Sequence, residues 1–264
     1  MAPADLLMLL AIALAFTPLE RLVPTRPLRW SWPRVQMDLM HLILSGTMIR
    51  LGGGAVIAGL SFAMGGLVPH PLVAAIRAQP GWLQFIEVLL LADLGFYAAH
   101  RLFHAVPVLW RFHEVHHSSE QLDWLATYRV HPVDQILNGA LIMGPSVLLG
   151  FAPGPLLAYG LLYRWHAVLL HSNVRVDFGP LRWIVASPFF HHWHHADEPA
   201  AYDRNFGGQL VIFDWLFGTL NLPARERPAR YGLTPPIPDS YLGQLAHPFA
   251  PPAASGLPAA PERV

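Results

Sequence analysis

Residues 82–104 read WLQFIEVLLLADLGFYAAHRLFH, an apolar run that ends in two histidines. A membrane-crossing helix needs about 20 mostly apolar residues. Trp82 to about Ala99 supplies one, interrupted by Glu87 and Asp93. In a helix Asp93, Tyr97, His100 and His104 share one face. Carboxylates in membrane segments are rare and usually functional. Asp93, with Tyr97, is therefore read as a support that accepts the free ring N–H of a metal-bound histidine. The plainer alternative is a helix cap or a polar contact between spans.

Working outward, the same pairing of apolar sequence and histidine recurs. His113-Glu-Val-His116-His117 and His191-His192-Trp-His194-His195 are two HxxHH motifs, and His100–His104 is an HxxxH. Positions i, i+3 and i+4 lie on one helical face, so each HxxHH aims three imidazoles in one direction. His192 is the spacer that points away. His100, His104, His113, His116, His117, His191, His194 and His195 are too many donors for one tetrahedral zinc and suit two ions. Imidazole serves Fe, Zn, Cu and Ni alike, so donor type does not name the metal. Eight buried imidazoles without a shared partner would each cost a few kcal/mol, which disfavours a purely structural role. His41, His70 and His247 stand alone and are read as hydrogen-bonded structural residues.

The composition agrees with a membrane setting. Charged residues make up 13% of the 264 positions, against about 25% in soluble domains. Hydrophobic residues reach 53%, and the mean hydropathy is positive. There is no Cys, which excludes thiolate zinc sites, iron–sulfur clusters and thiol nucleophiles. Zero net charge removes any electrostatic footprint for nucleic acid. All 17 basic residues are Arg, and with abundant Ala and Pro they hint at a GC-rich bacterial genome.

Four or so spans are expected. The first runs from about Pro3 to Leu19 and reads as a retained anchor, since no cleavage motif follows it. Arg21, Arg26, Arg29 and Arg34 then mark a cytoplasmic loop and place the N-terminus outside. Residues 35–68 form one tilted helix or two shorter pieces around Gly52-Gly53-Gly54. Residues 136–149 and 155–170 read as a hairpin split by Gly150 and Pro153. The expected fold is all-α, an integral-membrane helical bundle with a histidine-rich dimetal site. Residues 1–222 form one domain with a motif core at 93–219, and residues 223–264 a Pro/Ala-rich tail. Its last twenty residues look loose, and removal beyond about Gly243 is expected to leave activity intact.

With the strings 93–104, 109–118, His131-Pro132, 171–175, 187–195, Asn205-Phe-Gly207 and 214–219 in view, the chain resembles the fatty acid hydroxylase and sterol desaturase superfamily of integral-membrane oxygenases. The resemblance implies a non-haem diiron centre at the cytoplasmic face that uses O2 to hydroxylate or desaturate lipid C–H bonds, or to cleave ether lipids. It implies the eight histidines above as ligands, His171 as a ninth, and His166 as either a further ligand or a polar lining. It places His131, Asn205 and Asp214 with Asp93 and Tyr97 as supports around the metals, His131 ranking lower. The sterol, fatty acyl or ether-lipid substrate is left open, and zinc could replace iron on purification. Each turnover consumes two electrons, and no dinucleotide fingerprint is present. A separate donor is therefore expected, a ferredoxin, a cytochrome b5-like protein or a reductase drawing on NAD(P)H. A bacterial inner-membrane location follows, with the site facing the cytoplasm. Two other classes stay open: a two-zinc hydrolase, with Glu114 as its best base, and a non-enzymatic membrane metal-binding or transport protein. Transporters more often show repeated halves, and none is evident here.

Overall fold

The computed structural model describes residues 3–223 and 227–251. Helix α1 spans Pro3–Leu22. α2 (Trp32–Met40) passes through a π-turn at His41–Ser45 into α3 (Gly46–Met64). α4 (His70–Ala78) precedes α5 (Gly81–Ala105) and α6 (Pro107–His117). α7 (Pro132–Leu148) and α8 (Pro153–His171) follow, then the short α9 (Pro188–His194), α10 (Ile212–Leu216) and α11 (Tyr241–Ala246). Among the described residues the only β structure is three isolated bridges, so the fold is all-helical as expected.

Among the described residues three helices are long and apolar enough to cross a membrane: Pro3–Leu22, the continuous Trp32–Met64, and Gly81–Ala105. The second is one helix, not two pieces; Gly52, Gly53 and Gly54 lie inside it, and it ends at Gly65. At 33 residues it is about 50 Å long, beyond the roughly 30 Å of hydrocarbon. The two helices of the expected hairpin are present as α7 and α8, but each packs on α5 rather than on the other, and neither is among those three helices. Leu14, Leu51 and Phe62 are 76, 69 and 94% exposed, a surface suited to lipid rather than water.

Packing is closest where side chains are smallest. A Cβ on Gly95 of α5 would come within 2.8 Å of the Leu141 carbonyl of α7. A larger residue there would therefore push the two helices apart. Val88, Ala92, Ile142 and Tyr159 fill the core beside that contact. Ile12 and Phe16 of α1 pack against Val168 of α8.

The expectation of a loose tail falls mostly on residues 252–264, outside the described residues. Residues 245–251 depart from it. Leu245 O accepts from the His131 ring at 3.2 Å, Arg111 donates to His247 O at 2.6 Å, and Phe249 packs edge-on to Phe112. Proline and alanine composition hid these contacts, which use backbone carbonyls and one aromatic ring.

Candidate metal centre

α5 delivers His100 and His104 in its last two turns. Pro107 then starts α6, a position where its missing N–H costs nothing. α6 carries His113, His116 and His117 back beneath α5. Ser187 caps α9 by accepting from Phe190 N at 3.2 Å, and this short helix brings in His191 and His194, with His195 just beyond. α8 ends on His171.

The nine imidazoles sort into two groups. His100, His104, His113, His117 and His194 form one; His116, His171, His191 and His195 form the other. Within each group the potential ligand atoms lie within 4.8 Å of one another. Each HxxHH gives its i, i+4 pair to one group and its odd member to the other. His113 and His117 join the first and His116 the second, whereas His191 and His195 join the second and His194 the first. The groups abut, with the His117 and His195 rings 4.5 Å apart.

Hydrogen bonds on the outer nitrogens fix the tautomers. Carbonyl and carboxylate oxygens accept only. His100 Nδ1 therefore donates to Phe206 O (2.9 Å), His113 Nδ1 to Asp134 Oδ2 (2.8 Å) and His194 Nδ1 to Arg204 O (2.8 Å). His116 Nδ1 donates to Arg129 O (3.2 Å) and His171 Nδ1 to Ala167 O (2.8 Å). His104 Nδ1 lies 3.2 Å from Asp203 Oδ1. Burial also disfavours a second proton. It holds His117, His191 and His195 well below the usual histidine range, His116 at about 4 and His194 at about 3.

Bare Nε2 lone pairs then face one another. His100 and His113 Nε2 are 3.0 Å apart, as are His116 and His171 Nε2. Two lone pairs at that distance repel and cannot form a hydrogen bond. Nε2 of His117 and of His194 are buried with no hydrogen-bond partner. A bound cation would reconcile these contacts, and both groups fit a metal ion each.

The other candidate residues lie elsewhere. His166 Nε2 donates to Ala186 O at 2.9 Å and joins neither group. His131 caps α7, its Nδ1 accepting from Val133 N at 3.1 Å. Asp93 meets no histidine: it accepts from Gln209 N (2.7 Å) and Leu210 N (2.9 Å). Asp214 accepts from Phe206 N and Gly207 N, both at 2.7 Å. The two carboxylates thus clamp loop 206–210, whose Phe206 carbonyl orients His100. A helical wheel could not foresee the role of Asp93, because its partners are backbone amides more than 100 residues away. Tyr97 bonds Thr219 Oγ1 at 3.0 Å. Asn205, at φ 59°, donates to Phe190 O and Asn221 O. His192 turns away to Ser172 O and Tyr231. His41 bridges Val130 O and Gln244, and His247 pairs with Glu114.

Asp134 was missed. It is fully buried, and in the sequence it looks like an ordinary acidic residue in the first turn of α7. Its distance from His113, 21 positions, leaves no local spacing to read. Beside the histidines lies a cavity of about 460 Å3, lined by His100, His113, His116, His171 and His191 at one end and by Arg50 and Arg164 at the other.

The profile described as fatty acid hydroxylase matches residues 85–219. The ornithine lipid hydroxylase OlsE of Rhizobium tropici is 33% identical over 246 residues, 88% of this chain and 71% of that protein. The alkylglycerol monooxygenase of Xenopus tropicalis is 35% identical over 162 residues, 59% of this chain and 33% of its own length. Human cholesterol 25-hydroxylase is 30% identical over 141 residues, 52% of each chain. No solved structure matches.

Proposed function

The chain belongs to the fatty acid hydroxylase family, and from that premise we propose that it is a membrane-bound diiron oxygenase that oxidises a C–H bond of a lipid with O2 and electrons from a separate donor. The observation that carries the reading is the convergence of nine buried imidazoles into two abutting groups. His100, His104, His113, His117 and His194 would hold one iron; His116, His171, His191 and His195 would hold the other. Two irons bound there would supply the O2 activation that an unactivated C–H bond requires.

The chain's own residues do the rest. Asp134, Phe206 O, Arg204 O, Arg129 O and Ala167 O hold the outer ring protons, so each Nε2 is presented as a lone pair. Burial of all nine rings keeps bulk water from the site. The cavity leads to this end and can set one substrate carbon against it. Glu114, the base a hydrolase would need, bonds His247 instead. The arginine-rich loop lies at the same end as the histidines: Arg34 pairs with Asp123 at 2.6 Å, and Arg29 N donates to Gln121 at 2.7 Å. With positive charge retained inside, this supports a cytoplasmic site in a bacterial inner membrane.

The test is lipid mass spectrometry on cells expressing the protein under 18O2. A lipid gaining one labelled oxygen atom, or a labelled product of ether cleavage, absent with His113→Ala, is the expected result. A desaturated product would lose two hydrogens without label and still require O2. An unchanged lipid profile in both strains would refute the reading.

A further inference from the structure

Two polar residues in apolar helices, Asp93 of α5 and His166 of α8, meet neither histidine group, and both are spent on one short stretch of backbone. Asp93 holds the amides of Gln209 and Leu210, and His166 donates to Ala186 O at 2.9 Å. The two segments so held are bonded to each other. Ala186 N donates to Gln209 O at 2.9 Å and Val211 N to Ile184 O at 3.0 Å, around an antiparallel bridge between Val185 and Leu210. A backbone strap therefore runs from α8 to α5. Polar side chains in such helices are expensive unless they have a use, and their use here is to fix the level at which the strap lies.

That level falls within a bilayer. α5 has 25 residues, about 37 Å against roughly 30 Å of hydrocarbon, and Asp93 stands at its midpoint. Wherever such a helix is set across a membrane, residues 93–97 stay in the apolar layer. α10 follows the strap and keeps to α5: the Phe217 ring stacks on Tyr97 at 5.2 Å, and Phe213 lies at 6.2 Å.

The strap nevertheless presents large apolar side chains outward. Leu181, Trp183 and Ile184 on one side of the bridge and Trp215, Leu216 and Phe217 on the other are each between 53 and 66% exposed. Asp214, the one carboxylate in these two stretches, is fully buried. The surface continues onto the helices. Ile86 and Leu90, on the face of α5 that carries Asp93 and Tyr97, are exposed, as is Leu162, one turn before His166 on α8. Arginines border it: Arg182 lies over the Trp183 ring at 5.4 Å, Arg204 donates to Gly218 O at 2.8 Å, and Arg101 donates to the Tyr97 hydroxyl at 3.2 Å. Leu, Ile and Phe edged by Trp and Arg is the composition of an element lying in a membrane interface.

We infer that residues 181–184 and 212–217 form a monotopic insertion, which enters one leaflet from the histidine side without crossing it and sends its arginines back to the lipid phosphates. The occupant of this surface is bilayer lipid. Because Phe206 O, just ahead of the strap, holds the His100 ring, the insertion also sets the height of the histidine groups over that leaflet. The inference rests on the membrane placement of α5 and not on the oxygen chemistry.

The test uses single thiols, since the chain has no Cys. Ile184→Cys, Leu216→Cys and, as a span control, Leu90→Cys are nitroxide-labelled in the full chain and reconstituted in phosphatidylcholine–phosphatidylglycerol vesicles. Power saturation then compares collisions with O2, which partitions into lipid, and with chromium oxalate, which stays in water. O2 should dominate at 184 and 216 as it does at 90. Chromium oxalate dominating at 184 and 216, with O2 dominant at 90, would overturn the insertion and leave the span intact. O2 dominant at only one of the two would overturn a joint insertion. Exclusion of both reagents would show a protein cover instead of lipid, and dipolar broadening between labels would identify it as a second copy. Chromium oxalate dominating at 90 as well would refute the membrane placement of α5 and the inference with it.

Discussion

At the scale of the residue, the decisive contrast is between two buried carboxylates. Asp134 accepts from the ring of His113, whereas Asp93 accepts from two backbone amides of the loop behind His100. Asp134→Asn should lower iron affinity by about 10- to 100-fold with little change in helix content, measured by metal titration of the apoprotein. Asp93→Asn should instead lower the melting temperature, with a smaller effect on affinity; the reverse order would contradict the assignment. The two histidine groups were legible because the spacing of their members follows the helical repeat. Their supports were not, since four of the acceptors are backbone carbonyls, which every residue possesses. The imidazoles also set the response to pH. Burial lowers His194 to about 3 and His116 to about 4 from an ordinary 6.5. Between those values the unfolded chain binds more protons than the folded one, so stability falls as pH drops. Apoprotein melts from pH 7 to 4 should show a progressive loss beginning near 6.5, and a flat profile would mean the rings are not buried neutral.

Among the elements, α11 and the residues after it change most from what the sequence promised. Ser45 Oγ and the Tyr241 hydroxyl are 3.2 Å apart, Gln244 bonds His41, and His247 bonds Glu114 on the helix that carries three of the clustered histidines. The segment braces the π-turn at His41–Ser45 and the outer face of α6. Truncation after Asp239 should therefore destabilise the protein and reduce metal retention, seen as loss of monodisperse material on size exclusion and of iron per chain. Full retention of both would show that the segment is a passive cover. The long apolar runs of α1, α3 and α5 made those helices readable. No such signal marks a six-residue helix fixed by tertiary hydrogen bonds.

For the whole molecule, three apolar helices, an arginine-rich loop and the histidine site define one polarity. The loop and the site share an end, so the orientation of one fixes the other. Because the native chain has no Cys, the substitution Trp30→Cys adds a single thiol at a residue that is 74% exposed. It should react with an impermeant maleimide in inverted vesicles and not in intact spheroplasts. Labelling in spheroplasts would place the site outside. The count of three apolar helices against an expected four reflects α7 and α8, which bury polar groups such as Asp134, Asn138 and His171 in the bundle. α7 is also only 17 residues long, short of the about 20 that a span needs, and in α8 the polar groups lower the hydropathy by which spans are recognised. The most direct test of the account is metal content per chain on protein purified anaerobically in detergent, beside His194→Ala and His191→Ala, one variant for each histidine group. About two irons in the wild type, with loss in each variant, is the predicted result. Two zincs would call for reconstitution with Fe(II), and the variants should then fail to take it up. No metal in the wild type, even after reconstitution, would leave the facing lone pairs unexplained and contradict the account.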